Sequence, residues 1–211
     1  EMELESILSS GYLQPFLENR RSCLFDTVGT TQRPDVLCAK MLEGRVGLLI
    51  EGTPFALVIP KLFCESFQTM DDYCYRPAYA TLVRWIKYAA FLVAILLPAL
   101  YVAIALHHPE LLNRTLLLIL AEAEENAPIS LTAEAIGVLL VYEIIREAGL
   151  RLPKAVGGAV SIVAGLIIGD AAVSSGLIST PMLTVTAIAV IAGFVVPDLA
   201  QSITLLRLAF L

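Results

Sequence analysis

Polar and apolar positions are unevenly shared along this chain. Up to Arg84 they mix in short stretches; from Trp85 to Leu211 the apolar residues gather into long runs. Residues 86–106 form the clearest run, about 20 residues, long enough to cross a bilayer as a helix. Lys87, near its start, is its one charge. Trp85 and Tyr88, with Arg84 and Lys87, read as an interfacial anchor at its head. Pro98 at mid-run predicts a kink, with neighbouring groups satisfying the carbonyl it frees. His107, His108 and Pro109 end the run, and the two histidines read as a wet helix end rather than a metal site.

Further runs lie near 129–145, 155–178 and 182–206. Between the first two, residues 111–125 begin Leu-rich and end acidic, at Glu122, Glu124 and Glu125, so this stretch lies at an interface or dips into it. The run at 129–145 contains Glu134 and Glu143, and hydropathy alone leaves its crossing open. The cations favour crossing. Arg76, Arg84 and Lys87 attend the first run; Arg146, Arg151 and Lys154 precede the third; Arg207 lies at the last; Arg114 alone falls opposite. With four crossings nearly every cation sits on one face, as the positive-inside rule expects, and the N-terminal part is cytoplasmic.

The third run carries Gly157, Ser161, Gly165 and Gly169 at four-residue spacing, a ladder that lets another helix approach closely. It also carries Asp170. Roughly ten Val, Ile and Leu residues favour insertion by about 3–6 kcal/mol, and a carboxylate near the bilayer centre takes back about 2.5–3.5 kcal/mol. Such a helix depends on partners, and Asp170 should turn away from lipid. Pro197 and Asp198 break the last run.

The first 84 residues read as a small α/β module. The pattern predicts a helix over 1–19, loosened at Ser9–Gly11 and interrupted by Pro15. A second helix runs from Arg33 to Glu43, opened by Pro34 and closed by Gly44. A hairpin spans Arg45–Ile59 around Glu51 and Gly52. Its strands are apolar throughout, so both faces should be covered. A short helix at 62–68 and a polar connection at 71–76 follow.

The expected fold class is therefore an α-helical integral membrane domain over 85–211, of about four membrane-crossing or membrane-associated helices. It is preceded by the C-terminal part of a small cytoplasmic α/β domain over 1–84. The chain reads as a fragment truncated at both ends, since it opens on Glu1 and stops inside an apolar run. Composition agrees: 57% of residues are hydrophobic and 16% charged, against about 25% charged in soluble domains. A net charge of −6 without a basic cluster gives no support to nucleic acid as a partner, and none is expected. Cys23, Cys38, Cys64 and Cys74 form no CxxC and have no histidine nearby, which disfavours zinc and suits a reducing compartment. No P-loop, dinucleotide fingerprint or nucleophile–base pair is visible. No catalytic, cofactor-binding or metal residues are assigned, and an enzyme is not expected.

Several stretches together resemble the A subunit of spore germinant receptors, the GerA family of endospore-forming bacteria. They are Gln32–Asp35 with Leu42–Val46, Glu51–Phe55, Leu97–Ile104 with His108–Glu110, and Glu143–Pro153, continued from Gly157 to Pro181. The chain departs from the pattern at Gln32, at the acidic stretch Glu124–Pro128 and at Asp170. The resemblance implies a nutrient-sensing complex of the spore inner membrane, with a B subunit and a lipoprotein C subunit. It implies an A subunit that acts as an oligomeric ligand-gated channel releasing monovalent cations.

In a homo-oligomer each acid recurs around the axis. Glu122 and Glu125, three apart on one helical face, would ring a pore mouth. Asp170, Glu134 and Glu143 are the deeper candidates. Glu134 and Glu143 lie nine residues apart, on roughly opposite helix faces, so they do not line one wall together. A local salt bridge to Arg146 competes for Glu143. A secondary transporter or permease of small solutes is the alternative, with helices broken at Pro98 and Pro197, although no internal repeat is visible. The hairpin at 45–59 could also serve as a docking edge, and a hairpin internal to the fold is the simpler reading.

Overall fold

Pro34 opens and Gly44 closes the best-defined short helix of the chain. A computed structural model describes residues 10–18, 24–111, 113–115, 117–118, 121–122, 129–153, 157–158, 162–163 and 165–211. They form two compact units, Glu1–Lys87 and Tyr88–Leu211. Of the N-terminal helix expected over 1–19, residues 1–9 and 19 lie outside the described residues. A 3-10 turn at Ser10–Tyr12 and a short helix α1, Gln14–Leu17, with Pro15 in its first turn, are described.

Helix α2 spans Pro34–Leu42. Pro34 suits the first turn, where its missing N–H would have no helical partner. Asp35 near the start and Lys40 near the end complement the helix dipole. Gly44, at φ +88°, lets the chain turn back. Its N–H reaches Met41 O at 3.0 Å while Arg45 N–H reaches Lys40 O at 3.2 Å, a Schellman closure of the helix end.

Three strands follow one another in space as β1–β3–β2: β1 Gly29–Thr31, β2 Val46–Leu49 and β3 Ala56–Ile59, all antiparallel. The hairpin register pairs Val46 with Ile59 and Leu49 with Ala56. Gly52, at φ +86°, supplies the turn conformation that a side chain disfavours. Ala56, Leu57 and Val58 are consecutive and all buried, so β3 is covered on both faces. Leu37 of α2 packs on Ala56 and Val58. The expectation that both strands are covered fails for β2. It is an edge strand, with Val46 61% and Leu49 78% exposed. Strand β1, too short to show a period, was not foreseen. The helix expected at 62–68 is a 3-10 segment, Phe63–Phe67, and the polar connection holds a further 3-10 turn, Met70–Tyr73.

Helix α3, Pro77–His107, starts in the first unit and continues through the second. Its head is fastened by charge. Lys87 Nζ lies 2.9 Å from Asp72 Oδ2, 3.1 Å from Oδ1 and 3.2 Å from Thr69 Oγ1, while Thr69 N–H donates to Asp72 Oδ2 at 3.2 Å. Asp72 is 3% exposed. Burial opposes its ionisation, but the hydrogen bonds from Lys87 and Thr69 outweigh that cost and hold its pKa below the usual carboxylate range. Lys87 therefore does not join Arg84 as a free interfacial cation.

Among the described residues, α3 is the one helix long and apolar enough by itself to cross a membrane. Helix α4, Leu131–Arg151, runs past the expected 129–145. Residues 155–178 are described in part, with a π-helical turn at Ile167–Ala171 continuing into Ala172–Ser174. The run at 182–206 is not one straight span. Helix α5, Thr180–Phe194, and the segment Pro197–Phe210, which contains helix α6, Ala200–Phe210, are bent 109° from one another. Pro197 supplies no N–H to continue α5, and a 3-10 turn at Pro197–Leu199 redirects the chain. The core of this unit gathers Tyr101, Val102, Leu131, Ala135 and Met182.

Replacing Asp72 with Asn leaves the partly buried Lys87 ammonium without its counter-charge, and should destabilise the protein by about 1–3 kcal/mol in chemical denaturation. Because the Asp72 pKa is depressed by folding, its contribution is present above about pH 4 and is lost as pH falls through the lower folded value. The wild type should show this acid loss and Asp72→Asn should not.

Candidate functional site

Pro98 lies inside α3 and has no N–H to give to Ala94 O, its partner four residues back. The carbonyl does not go unpaired. Arg207 Nε of α6 donates to Ala94 O at 2.8 Å, and Arg207 Nη2 donates to Ala189 O of α5 at 3.2 Å. Arg207 is 4% exposed, and Pro98 is fully buried. Small residues make the slot: Ala94 and Ala189 are fully buried, and a Cβ added to Gly193 would stand 3.5 Å from Arg207 Nη2 and 3.9 Å from Ala94 Cβ. One guanidinium thus joins α6, which carries it, to the backbones of α3 and α5. Pro98 predicts a freed carbonyl from the sequence alone, whereas Arg207 enters the sequence reading only as a cation of one membrane face. A lone cation in the apolar C-terminal run was the available signal.

A second polar group ties α6 to α4. Arg146 Nη2 pairs with Glu143 Oε2 at 2.9 Å. The Thr204 hydroxyl donates to Glu143 Oε1 at 2.7 Å and accepts from Arg146 Nη1 at 3.3 Å. Glu143 has its salt bridge to Arg146, and Thr204 was not foreseen. Glu147 turns instead to Arg151, at 2.6 Å on the exposed side.

Glu134 is 5% exposed. Its Oε1 accepts the backbone N–H of Ser179 at 2.7 Å and the Ser179 hydroxyl at 2.8 Å. Ser179 immediately precedes α5, so the carboxylate sits at that helix's positive end. Glu134 and Glu143 hold opposite edges of the arc of α4 that also buries Ala135, Val138 and Leu139. Their nine-residue spacing lets one acid engage the start of α5 and the other α6.

The remaining expected residues behave differently. Asp170 lies in the π turn and is exposed, as are its neighbours Leu166, Ile167, Gly169 and Ala171. Glu122 is exposed, and Glu125 lies outside the described residues. In the small-residue ladder Ser161 lies outside them as well. A Cβ at Gly165 or Gly169 would meet nothing within 4 Å, and one at Gly157 would just reach Gly149 O at 4.0 Å. Among the described residues no helix approaches closely at Gly165 or Gly169. No group of three or more His, Cys, Asp or Glu is arranged to hold a metal among the described residues, and His108 Nδ1 lies 3.6 Å from Glu110. An open, apolar groove of about 570 Å³ runs along Leu96, Leu100, Ile104 and Phe210.

The chain matches, over residues 1–211, the family described as Bacillus/Clostridium GerA spore germination protein. It is 40% identical over 187 residues to spore germination protein KA of Bacillus subtilis (strain 168), covering 89% of this chain and 34% of that protein. It is 38% identical over 187 residues to the uncharacterized membrane protein YfkQ of the same organism, covering 89% and 36%. With spore germination protein GerLA of Bacillus cereus it shares 35% over 181 residues, covering 86% and 37%. The chain belongs to the GerA family of spore germination proteins. It spans a little over a third of the length of these curated relatives. No solved structure matches it.

Replacing Arg207 with Met keeps most of the apolar stem but orphans Ala94 O. The expected loss is about 2–3 kcal/mol in a proline background. Pro98→Ala restores an N–H for that carbonyl, so the same Arg207→Met change should cost about 1 kcal/mol less there. A double-mutant cycle on detergent-solubilised protein measures the coupling. Additive losses would separate Arg207 from the proline-freed carbonyl.

Proposed function

We propose that this chain is part of an A-type subunit of a spore nutrient germinant receptor: its membrane domain over 85–211 and the end of a cytoplasmic α/β domain over 1–84. The observation that carries the reading is the family match over the whole chain, with 40% identity to spore germination protein KA. The subunit resides in the spore inner membrane, assembles with B and C subunits, and catalyses no reaction. Several copies surround an axis and release monovalent cations when nutrient is sensed.

Asp170 supports the oligomeric part of this reading. An exposed carboxylate beside Leu166, 63% exposed, and Ile167, 56% exposed, is costly against hydrocarbon. A second copy or a wet axis relieves that cost. Gly165 and Gly169, open on the same segment, permit a helix of another copy to approach. The acids divide by role. Glu134 and Glu143 hold the helices of one subunit together, and Asp170 serves the ion path, with Glu122 and Glu125 as the candidates for its mouth. The 109° break between α5 and the Pro197–Phe210 segment favours one second reading, a secondary transporter with a broken helix at its substrate site.

Spores carrying the full-length protein with Asp170→Asn should release potassium and sodium after nutrient addition at least an order of magnitude more slowly, at unchanged protein level. Glu122→Gln with Glu125→Gln should slow release more modestly. Unaltered release in Asp170→Asn would remove this carboxylate from the ion path. Stoichiometric uptake of labelled nutrient would replace the channel with the transporter.

A further inference from the structure

We infer that the head of α3 carries a binding site for the phosphate of an anionic phospholipid, built on Arg84 stacked against Tyr73. This rests on the membrane reading of α3. The Arg84 guanidinium lies over the Tyr73 ring, 5.2 Å from its centroid. An arginine in that position keeps a planar fork of donors, pre-ordered by the ring, which matches two oxygens of a phosphodiester. Its Nε is sealed from solvent without a hydrogen-bond partner, so recognition falls to the two terminal nitrogens.

The surroundings select the partner. Residues 73–88 hold four of the chain's seven tyrosines, its one tryptophan, and Arg76, Arg84 and Lys87. No Asp or Glu occurs between Asp72 and Glu110. In a chain of net charge −6 this is a local positive stretch, placed one turn before the long apolar run. Trp85 is 72% exposed, and Tyr75 and Tyr79 form an exposed edge-to-face pair at 5.3 Å. Exposed aromatic rings with this amphipathic character concentrate at the headgroup level. Free phosphate would give the rings nothing to do; a lipid uses both the cations and the rings.

Lys87 is the internal control. It is the closest cation to Arg84 in sequence, but Asp72 and Thr69 hold its ammonium. A diffuse attraction to net charge would use Lys87 as readily as Arg84. A built site uses Arg84; Arg76, just before the start of α3, is exposed and adds to the positive charge of the stretch.

The test reconstitutes full-length protein in phosphatidylcholine discs containing a minority of phosphatidylglycerol, and counts co-purifying lipids by native mass spectrometry. Wild type should enrich phosphatidylglycerol over the disc composition. Arg84→Gln should lower the enrichment about fivefold, the expected loss for one surface cation. Tyr73→Leu should lower it partly, because the fork loses its stacking ring. Lys87→Gln should lower the melting temperature and leave the enrichment intact. Equal retention of both lipids by wild type, or equal losses in Arg84→Gln and Lys87→Gln, would overturn the site. So would displacement of the lipid by inorganic phosphate. Release of the protein from vesicles by alkaline carbonate would instead overturn the membrane reading, whereas retention without lipid preference removes only the headgroup site.

Discussion

A carbonyl deprived of its donor sets the arrangement of the second unit. Pro98 removes one hydrogen bond from the middle of α3, and inside an apolar body the orphaned Ala94 oxygen costs as much as a lost hydrogen bond. Arg207 removes that cost from a distance of more than a hundred residues. The same guanidinium reaches Ala189 of α5, so satisfying one backbone group fixes where α3, α5 and α6 meet. Gly193 follows from this: a Cβ added there would already touch the guanidinium at 3.5 Å, and a larger side chain would compete with it for the slot.

Helix α6 is consequently held on two sides. Arg207 ties it to α3 and α5, and Thr204 ties it to the Glu143–Arg146 pair of α4. The 109° turn at Pro197 allows this, because a straight continuation of α5 would carry Thr204 and Arg207 away. The acids that looked interchangeable by hydropathy separate on this basis. Two are consumed by the helices of their own chain, and Asp170 is left exposed by it.

The first unit solves a different problem, the entry into a long apolar helix. Three strands and a short helix make a small core around Ala56, Leu57 and Val58, and Asp72 with Lys87 fastens the head of α3 to this unit. Because Lys87 is spent on that bond, the stacked Arg84 is left as the shaped cation of the aromatic stretch.

Local rules fixed much of this chain in advance. Pro34 and Gly44 bound α2, Gly52 marks the hairpin turn, and Pro98 announces a freed carbonyl, because each acts through its own backbone. The family resemblance was legible for the same reason: it rests on short motifs in order. What depended on distant partners was not legible. No periodicity reveals that Arg207 would find Ala94, that Glu134 would meet Ser179, or that Lys87 would turn to Asp72, since each pair is chosen by how helices cross. The exposure of β2 was likewise decided by packing, whereas the break of the last run was announced by Pro197 and Asp198 and only its angle of 109° came from the tertiary structure. An apolar pattern states that a face prefers cover, and only the tertiary structure determines which faces receive it.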